Sequence, residues 1–233
     1  MSNKIINIPN KNGNQIFCYS VDTKKNSAPA IIIINENFAI NHWIKITTDD
    51  FAERGYIAIT PDLAHNMKTS SATGPITKAR LIKEPGTEEC TDYESAIVDL
   101  TSIITEVKAL PNCNGKVGII GFSSGATLAY LSAARLHVDA VIGYYGAEIL
   151  EYLNEGKNIN CPLLLHMSEH DNRLKPNSLN KIQAALIGKG NISIYTYIAG
   201  HSFANTHDPK LYLPEAARLA HERTIKTLDT LYR

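Results

Sequence analysis

Three residues of reactive type stand in an order that suits nucleophilic catalysis: Ser123, Asp171 and His201. Ser123 is the centre of Gly121-Phe122-Ser123-Ser124-Gly125, a G-x-S-x-G turn entered from an apolar run (Val117, Ile119, Ile120) and left through a helical stretch. Such a turn strains its central residue, so the positions two before and two after must be small; Gly121 and Gly125 meet that need. An alcohol is a poor nucleophile near neutral pH. It needs a base to take its proton and an acid to orient that base. His201 is the candidate base and Asp171 the candidate acid, with Glu169 in reserve. The backbone N–H groups of Ser124 and Asn37 are the candidates for holding an oxyanion. Together these groups suit acyl transfer, in which Ser123 attacks a carbonyl carbon and water then releases the acyl group.

The elements that must position these residues alternate along the chain. An Asn12-Gly13-Asn14 turn predicts a hairpin from strands at 5–8 and 15–20. Apolar runs predict buried strands at 28–34, 56–60, 117–120, 138–144, 162–166 and 192–197. Helical patterns are expected at 41–54, 88–109, 126–134, 178–187 and 213–231. Segment 64–86 is polar and irregular and is expected to pass over the active-site face. Alternation of this kind predicts an α/β fold with a mostly parallel central sheet, helices on both faces and no large lid domain. No repeat or linker divides residues 1–233, which read as one domain.

Asp171 then falls in the loop after strand 162–166 and His201 in the loop after strand 192–197. Both would project from the same sheet end as Ser123, in the order Ser, Asp, His of the α/β-hydrolase fold. The other histidines considered fit less well. His42, His137 and His221 fall on or beside helices, and His166 ends a strand too early. His170 shares the Asp171 loop, and His207 lies farther along.

The bulk properties narrow the partners. Lys plus Arg and Asp plus Glu both number 23, with no block of like charge, so neither nucleic acid nor an anionic membrane surface is expected as a partner. The N-terminus turns polar too soon for a signal peptide, and no apolar run reaches membrane-spanning length. The four cysteines, Cys18, Cys90, Cys113 and Cys161, are scattered and suggest reduced thiols in a cytoplasm. No histidine stands at metal-ligand spacing from them, so no metal or cofactor is expected.

From Ala28 onward the chain resembles the dienelactone hydrolase family. The resemblance rests on NENFAIN (35–41), RGYIAITPDL (54–63), GKVGIIGFSSG (115–125), VDAVIGYYG (138–146), LLLHMSEHD (163–171), AGHSFA (199–204) and LAHERTIKTL (219–228). It implies a small α/β-hydrolase that opens lactones or cleaves esters. Two departures stand out. The dienelactone enzymes carry cysteine as nucleophile, matched here by Ser123, either native or substituted for that cysteine. Their glutamate matching Glu36 gates the thiol; beside a serine it would brace the oxyanion loop or pair with a basic residue. Their substrate-binding arginine after the catalytic histidine is matched by Asn205, and a second falls near Arg80 or Lys83. The expectation is a serine hydrolase acting on a small ester or lactone without strong preference for a carboxylate-bearing one. The alternatives are a true dienelactone hydrolase with serine at the nucleophile, or a ligand-binding protein without catalysis.

Overall fold

The computed structural model describes residues 3–69 and 89–232. Eight strands form one sheet in the order β1-β2-β4-β3-β7-β8-β9-β10. They are β1 (Asn3–Pro9), β2 (Gln15–Val21), β3 (Ala28–Ile34), β4 (Ile57–Pro61), β7 (Cys113–Phe122), β8 (Ala140–Tyr144), β9 (Leu163–Ser168) and β10 (Ile192–Tyr197). β1 and β2 form the expected antiparallel hairpin and β2 runs antiparallel to β4; from β4 to β10 every pairing is parallel. Two three-residue strands, β5 (Met67–Thr69) and β6 (Glu89–Thr91), pair separately.

Among the described residues five α-helices pack on this sheet: α1 (His42–Glu53), α2 (Tyr93–Lys108), α3 (Ser124–Arg135), α4 (Ser178–Leu186) and α5 (Pro214–Leu228). The period-2 pattern of the central strands explains why both faces are covered. On β3, Ala28, Ala30, Ile32 and Ile34 join one apolar cluster with residues of α2, α3 and α4. Ile31 and Ile33 point the other way, into a second cluster with Trp43, Ile44 and Phe51 of α1 and Ala216, Ala220 and Leu228 of α5.

The differences from the sequence expectation are local. α1 begins after Asn41 because the Asn41 side chain accepts from the Ile44 N–H at 2.9 Å and caps the helix. α2 begins at Tyr93 and not near 88, because Asp92 takes the cap position and accepts from Ser95 N–H at 3.1 Å. Residues Ala147–Asn158 form 3-10 helix, kinked at Tyr152, where no element was expected. Segment 70–86, expected over the active-site face, lies outside the described residues, as do Arg80 and Lys83.

Two buried polar clusters tie distant elements together. Asp99 on α2 accepts from Asn10 Nδ2 at 2.8 Å and Asn66 Nδ2 at 2.9 Å, with His65 Nε2 at 2.8 Å. That contact pulls the His65 pKa upward. On the other side, His166 of β9 lies fully buried between Tyr197 Oη, 2.9 Å from Nδ1, and Thr224 Oγ1, 3.0 Å from Nε2. Arg223 donates to the same Tyr197 hydroxyl at 2.8 Å.

Candidate active site

All parallel strands deliver their following loops to one end of the sheet, and the candidate residues gather there. At the end of β7 the chain makes its sharp turn into α3, with Ser123 at φ 54° and ψ −119°. The glycine requirement is visible in the packing. A Cβ on Gly121 would strike the Gly125 carbonyl, and one on Gly125 would lie 2.6 Å from Ile34 O and 2.7 Å from Asn35 O. Both obstacles are backbone, so neither can step aside.

β9 and β10 carry the other two groups. They pair in parallel from Leu163–Ile192 to Ser168–Tyr197, and the amides of Glu169 and His170 continue the ladder to Tyr197 O and Ala199 O. This brings the loop holding Asp171 beside the loop holding His201. His201 Nδ1 lies 2.8 Å from Asp171 Oδ2, and His201 Nε2 lies 2.9 Å from Ser123 Oγ. Ser123, Asp171 and His201 are 1%, 6% and 8% exposed, so all three are shielded from solvent. A carboxylate only accepts, which assigns the Nδ1 proton to the His201–Asp171 bond and leaves Nε2 free to receive the Ser123 proton.

The remaining candidates take definite places. Ser124 occupies the first turn of α3, where its N–H has no acceptor within the helix. Its side chain reaches Glu148 at 3.4 Å, and Thr127 reaches the same carboxylate at 3.1 Å. Asn37 lies in the loop that Gly125 abuts; its side-chain oxygen accepts from Ala39 N–H at 3.2 Å and Asn35 Nδ2 at 3.1 Å. Glu36 accepts from the Ser202 hydroxyl at 2.7 Å. That bond ties the loop of Glu36 and Asn37 to the loop of His201. Asn205 spends its side-chain oxygen on His207 N–H at 3.0 Å, within its own loop. Glu169, the reserve acid, is exposed, and it is Asp171 that meets His201 Nδ1.

Two residues at the site were not singled out from sequence. Arg173 Nη1 donates to Ser123 Oγ at 2.7 Å, while Arg173 N–H donates to Asp171 Oδ1 at 2.9 Å. The available signal was position: Arg173 is two residues beyond Asp171 in the same short loop. Tyr145 follows β8 with φ 45°, its ring edge-on to His201 at 5.0 Å between centroids. Its buried hydroxyl makes no well-formed hydrogen bond among the described residues, although the Glu36 side chain lies near enough to act on it. Burial first, and the Glu36 charge second, push its pKa well above the usual phenol value. Backbones at positive φ concentrate at this sheet end, where Phe38, Ser123, Tyr145 and Ser202 all adopt them.

Among the described residues, no group of three or more His, Cys, Asp and Glu side chains is arranged to hold a metal ion. A cavity of about 280 Å³ opens between α1 and α5, walled by Trp43, Phe51, Phe122 and Tyr144, and contains none of the three aligned residues.

The model of the dienelactone hydrolase family matches residues 17–232. The chain belongs to that family. Carboxymethylenebutenolidase of Pseudomonas putida is 32% identical over 208 residues, spanning 89% of this chain and 88% of that protein. Another carboxymethylenebutenolidase, from Cupriavidus pinatubonensis, is 26% identical over 97% of this chain and 96% of its own length. Among solved structures, a provisionally assigned dienelactone hydrolase of Klebsiella pneumoniae superposes with a TM-score of 0.81 at 19% identity, covering 98% of both chains. An esterase of Pyrococcus furiosus superposes with a TM-score of 0.69 at 15% identity, covering 94% of this chain and 91% of its own. As a member of the dienelactone hydrolase family with the α/β-hydrolase fold, the protein is a hydrolase of small molecules. Among the described residues of this family member, no helix is long and apolar enough to cross a membrane.

Proposed function

We propose that the protein hydrolyses a carboxylic ester or lactone through an acyl-enzyme formed on Ser123. The observation that carries this reading is the unbroken line from Ser123 Oγ through His201, 2.9 Å and then 2.8 Å, to Asp171 Oδ2. His201 takes the serine proton during attack on the carbonyl and returns it to the leaving alcohol. Asp171 holds the ring in the working tautomer and balances the imidazolium charge. The N–H groups of Ser124 and Asn37 receive the tetrahedral oxyanion. Water then repeats the sequence and frees the acid. These side chains and water suffice for the reaction. A single domain in a reducing cytoplasm is part of the same reading, supported by the scattered free thiols Cys18, Cys113 and Cys161.

A fluorophosphonate probe with peptide mapping tests the assignment. The expected result is label on Ser123 and none on a Ser123→Ala variant. Label on another residue, or equal labelling of both proteins, defeats it.

The names of the curated relatives favour a second reading, a carboxymethylenebutenolidase that uses serine where cysteine is usual. The two readings separate on kcat/KM for a carboxylate-bearing lactone against a neutral ester. A ratio within about tenfold supports the general esterase, and an anion preference of several hundredfold gives the lead to the second reading.

A further inference from the structure

The contact between Arg173 and Ser123 is not needed by the three-residue mechanism, and its chemistry is one-sided. A guanidinium has donors and no acceptor, so at 2.7 Å Arg173 Nη1 must direct an N–H at a lone pair of Ser123 Oγ. The serine proton remains directed at His201 Nε2. Arg173 is held there from its root, because its own amide is fixed to Oδ1 of Asp171 at 2.9 Å. Among the described residues, no carboxylate lies within ion-pair distance of its guanidinium. Arg173 is exposed as a whole, so its side chain comes in from the protein surface and sets the tip of the guanidinium against the buried Ser123 Oγ.

We propose that Arg173 is a catalytic residue of deacylation, holding the charge that gathers on Ser123 Oγ as the acyl–serine bond breaks. The proposal rests on the reading of Ser123 as nucleophile. In the free enzyme a donor on the Oγ lone pair opposes attack to some degree, because it draws on the electrons that form the new bond. In the acyl-enzyme the balance reverses. Water attacks the acyl carbon, its oxygen bonding to that carbon while one proton passes to His201 Nε2 and the carbonyl π pair moves onto oxygen. The pair then returns to reform C=O, and the C–Oγ bond breaks with both electrons going to Oγ. His201 Nε2–H delivers its proton to Oγ, restoring the serine. A serine alkoxide is a poor leaving group, so the moment of greatest charge on Oγ is where a cationic donor contributes most. Arg173 keeps all of its protons throughout.

The step specific to this proposal is read by following the acyl-enzyme itself. Wild type, Arg173→Met and Arg173→Lys are mixed with the 4-nitrophenyl ester of a short neutral acid and quenched at intervals. Intact mass gives the acylated fraction, nitrophenolate release gives the acylation rate, and peptide mapping locates the adduct. A hydrogen bond to a charged group corresponds to roughly tenfold to a hundredfold in rate, so Arg173→Met should lengthen the acyl-enzyme lifetime by that factor. Acylation should change by less, giving a burst followed by slow turnover, and Arg173→Lys should recover part of the loss. An adduct on Ser123 whose lifetime in Arg173→Met stays within about twofold of wild type overturns the role of Arg173 alone. Equal slowing of both steps also overturns it, since that is what mere disturbance of the site would give. An adduct on another residue instead sinks the assignment of Ser123.

Discussion

Asp171 serves two neighbours with its two oxygens: Oδ2 faces His201 and Oδ1 accepts from the Arg173 amide. Replacing it with asparagine keeps the shape but offers an N–H₂ where an acceptor was, which favours the wrong tautomer of His201. We expect Asp171→Asn to lower kcat by about 10³ to 10⁴-fold with little change in KM, and steady-state kinetics on a neutral ester checks this. If Glu169→Gln produced that loss instead, the orienting acid would be Glu169. At this scale the sequence was informative where a residue type is rare in its context. A serine between two glycines at a strand-to-helix turn, and an acid and a histidine after later strands, can be picked out by order alone. Arg173 could not, because arginine in a polar loop is ordinarily a solvated surface residue. Its place beside Ser123 shows only once the loop is seen folded back on Asp171, whose Oδ1 accepts the Arg173 N–H. For Asn205 the place in the motif is clear, but only the structure shows that its side-chain oxygen accepts from His207 N–H within its own loop.

Among elements, α5 is joined to the sheet by more than apolar contact. Thr224 on α5 lies 3.0 Å from His166 Nε2 and 2.7 Å from the Tyr144 hydroxyl, while Arg223 lies over the Tyr195 ring at 3.9 Å. Arg223 can only donate, so the Tyr197 hydroxyl accepts from it and gives its own proton to His166 Nδ1; Nε2–H then points to Thr224. Both ring nitrogens of a neutral His166 are thereby satisfied and a second proton has no place. Burial, aided by the Arg223 charge, lowers its pKa to about 3. The folded-state value lies below the unfolded one, so between them the unfolded chain binds more protons. The His166 contribution to stability is full above pH 6.5 and declines as pH falls, by about 1.4 kcal/mol per unit toward the folded value. His65, raised by its contact with Asp99, contributes in the opposite sense, its share present at low pH and lost as pH rises through its folded value. Urea unfolding at pH 7 and pH 5, in wild type and His166→Asn, isolates the buried residue. The wild type should lose stability between the two pH values, and the variant should lose clearly less. Equal losses would show that His166 is not the group responsible. The strands of this assembly were readable from sequence, because runs such as Ala28–Ile34 are buried on both faces and need no alternation. The kinked 147–158 segment was not, since its turn depends on how Gly156 and Tyr152 meet their neighbours. A glycine Cβ at 156 would lie 2.6 Å from Leu186.

For the molecule as a whole, the sheet order separates the three aligned residues by depth. Ser123 stands at the end of β7, flanked on both sides by paired strands, whereas His201 follows β10, which among the described residues has a neighbouring strand on one side only. Alternating elements announce a parallel sheet, but they do not announce its order, so this arrangement was not legible before the structure. Its consequence concerns the manner in which the protein comes apart. Peripheral units of a domain open at lower free energy than its centre, so the margin bearing β10 should detach while β3 and β7 still exchange no amide protons. His201 would then swing away from an intact turn at Ser123. Catalytic activity should vanish at lower urea than the fluorescence of Trp43, the lone tryptophan, which packs against Phe122 at 4.8 Å beneath the centre of the sheet. Native-state hydrogen exchange should find the amides of Ile194 and Thr196 less protected than those of Ile31 and Ile119. Coincident loss of activity and fluorescence would mean that margin and centre melt as one cooperative unit.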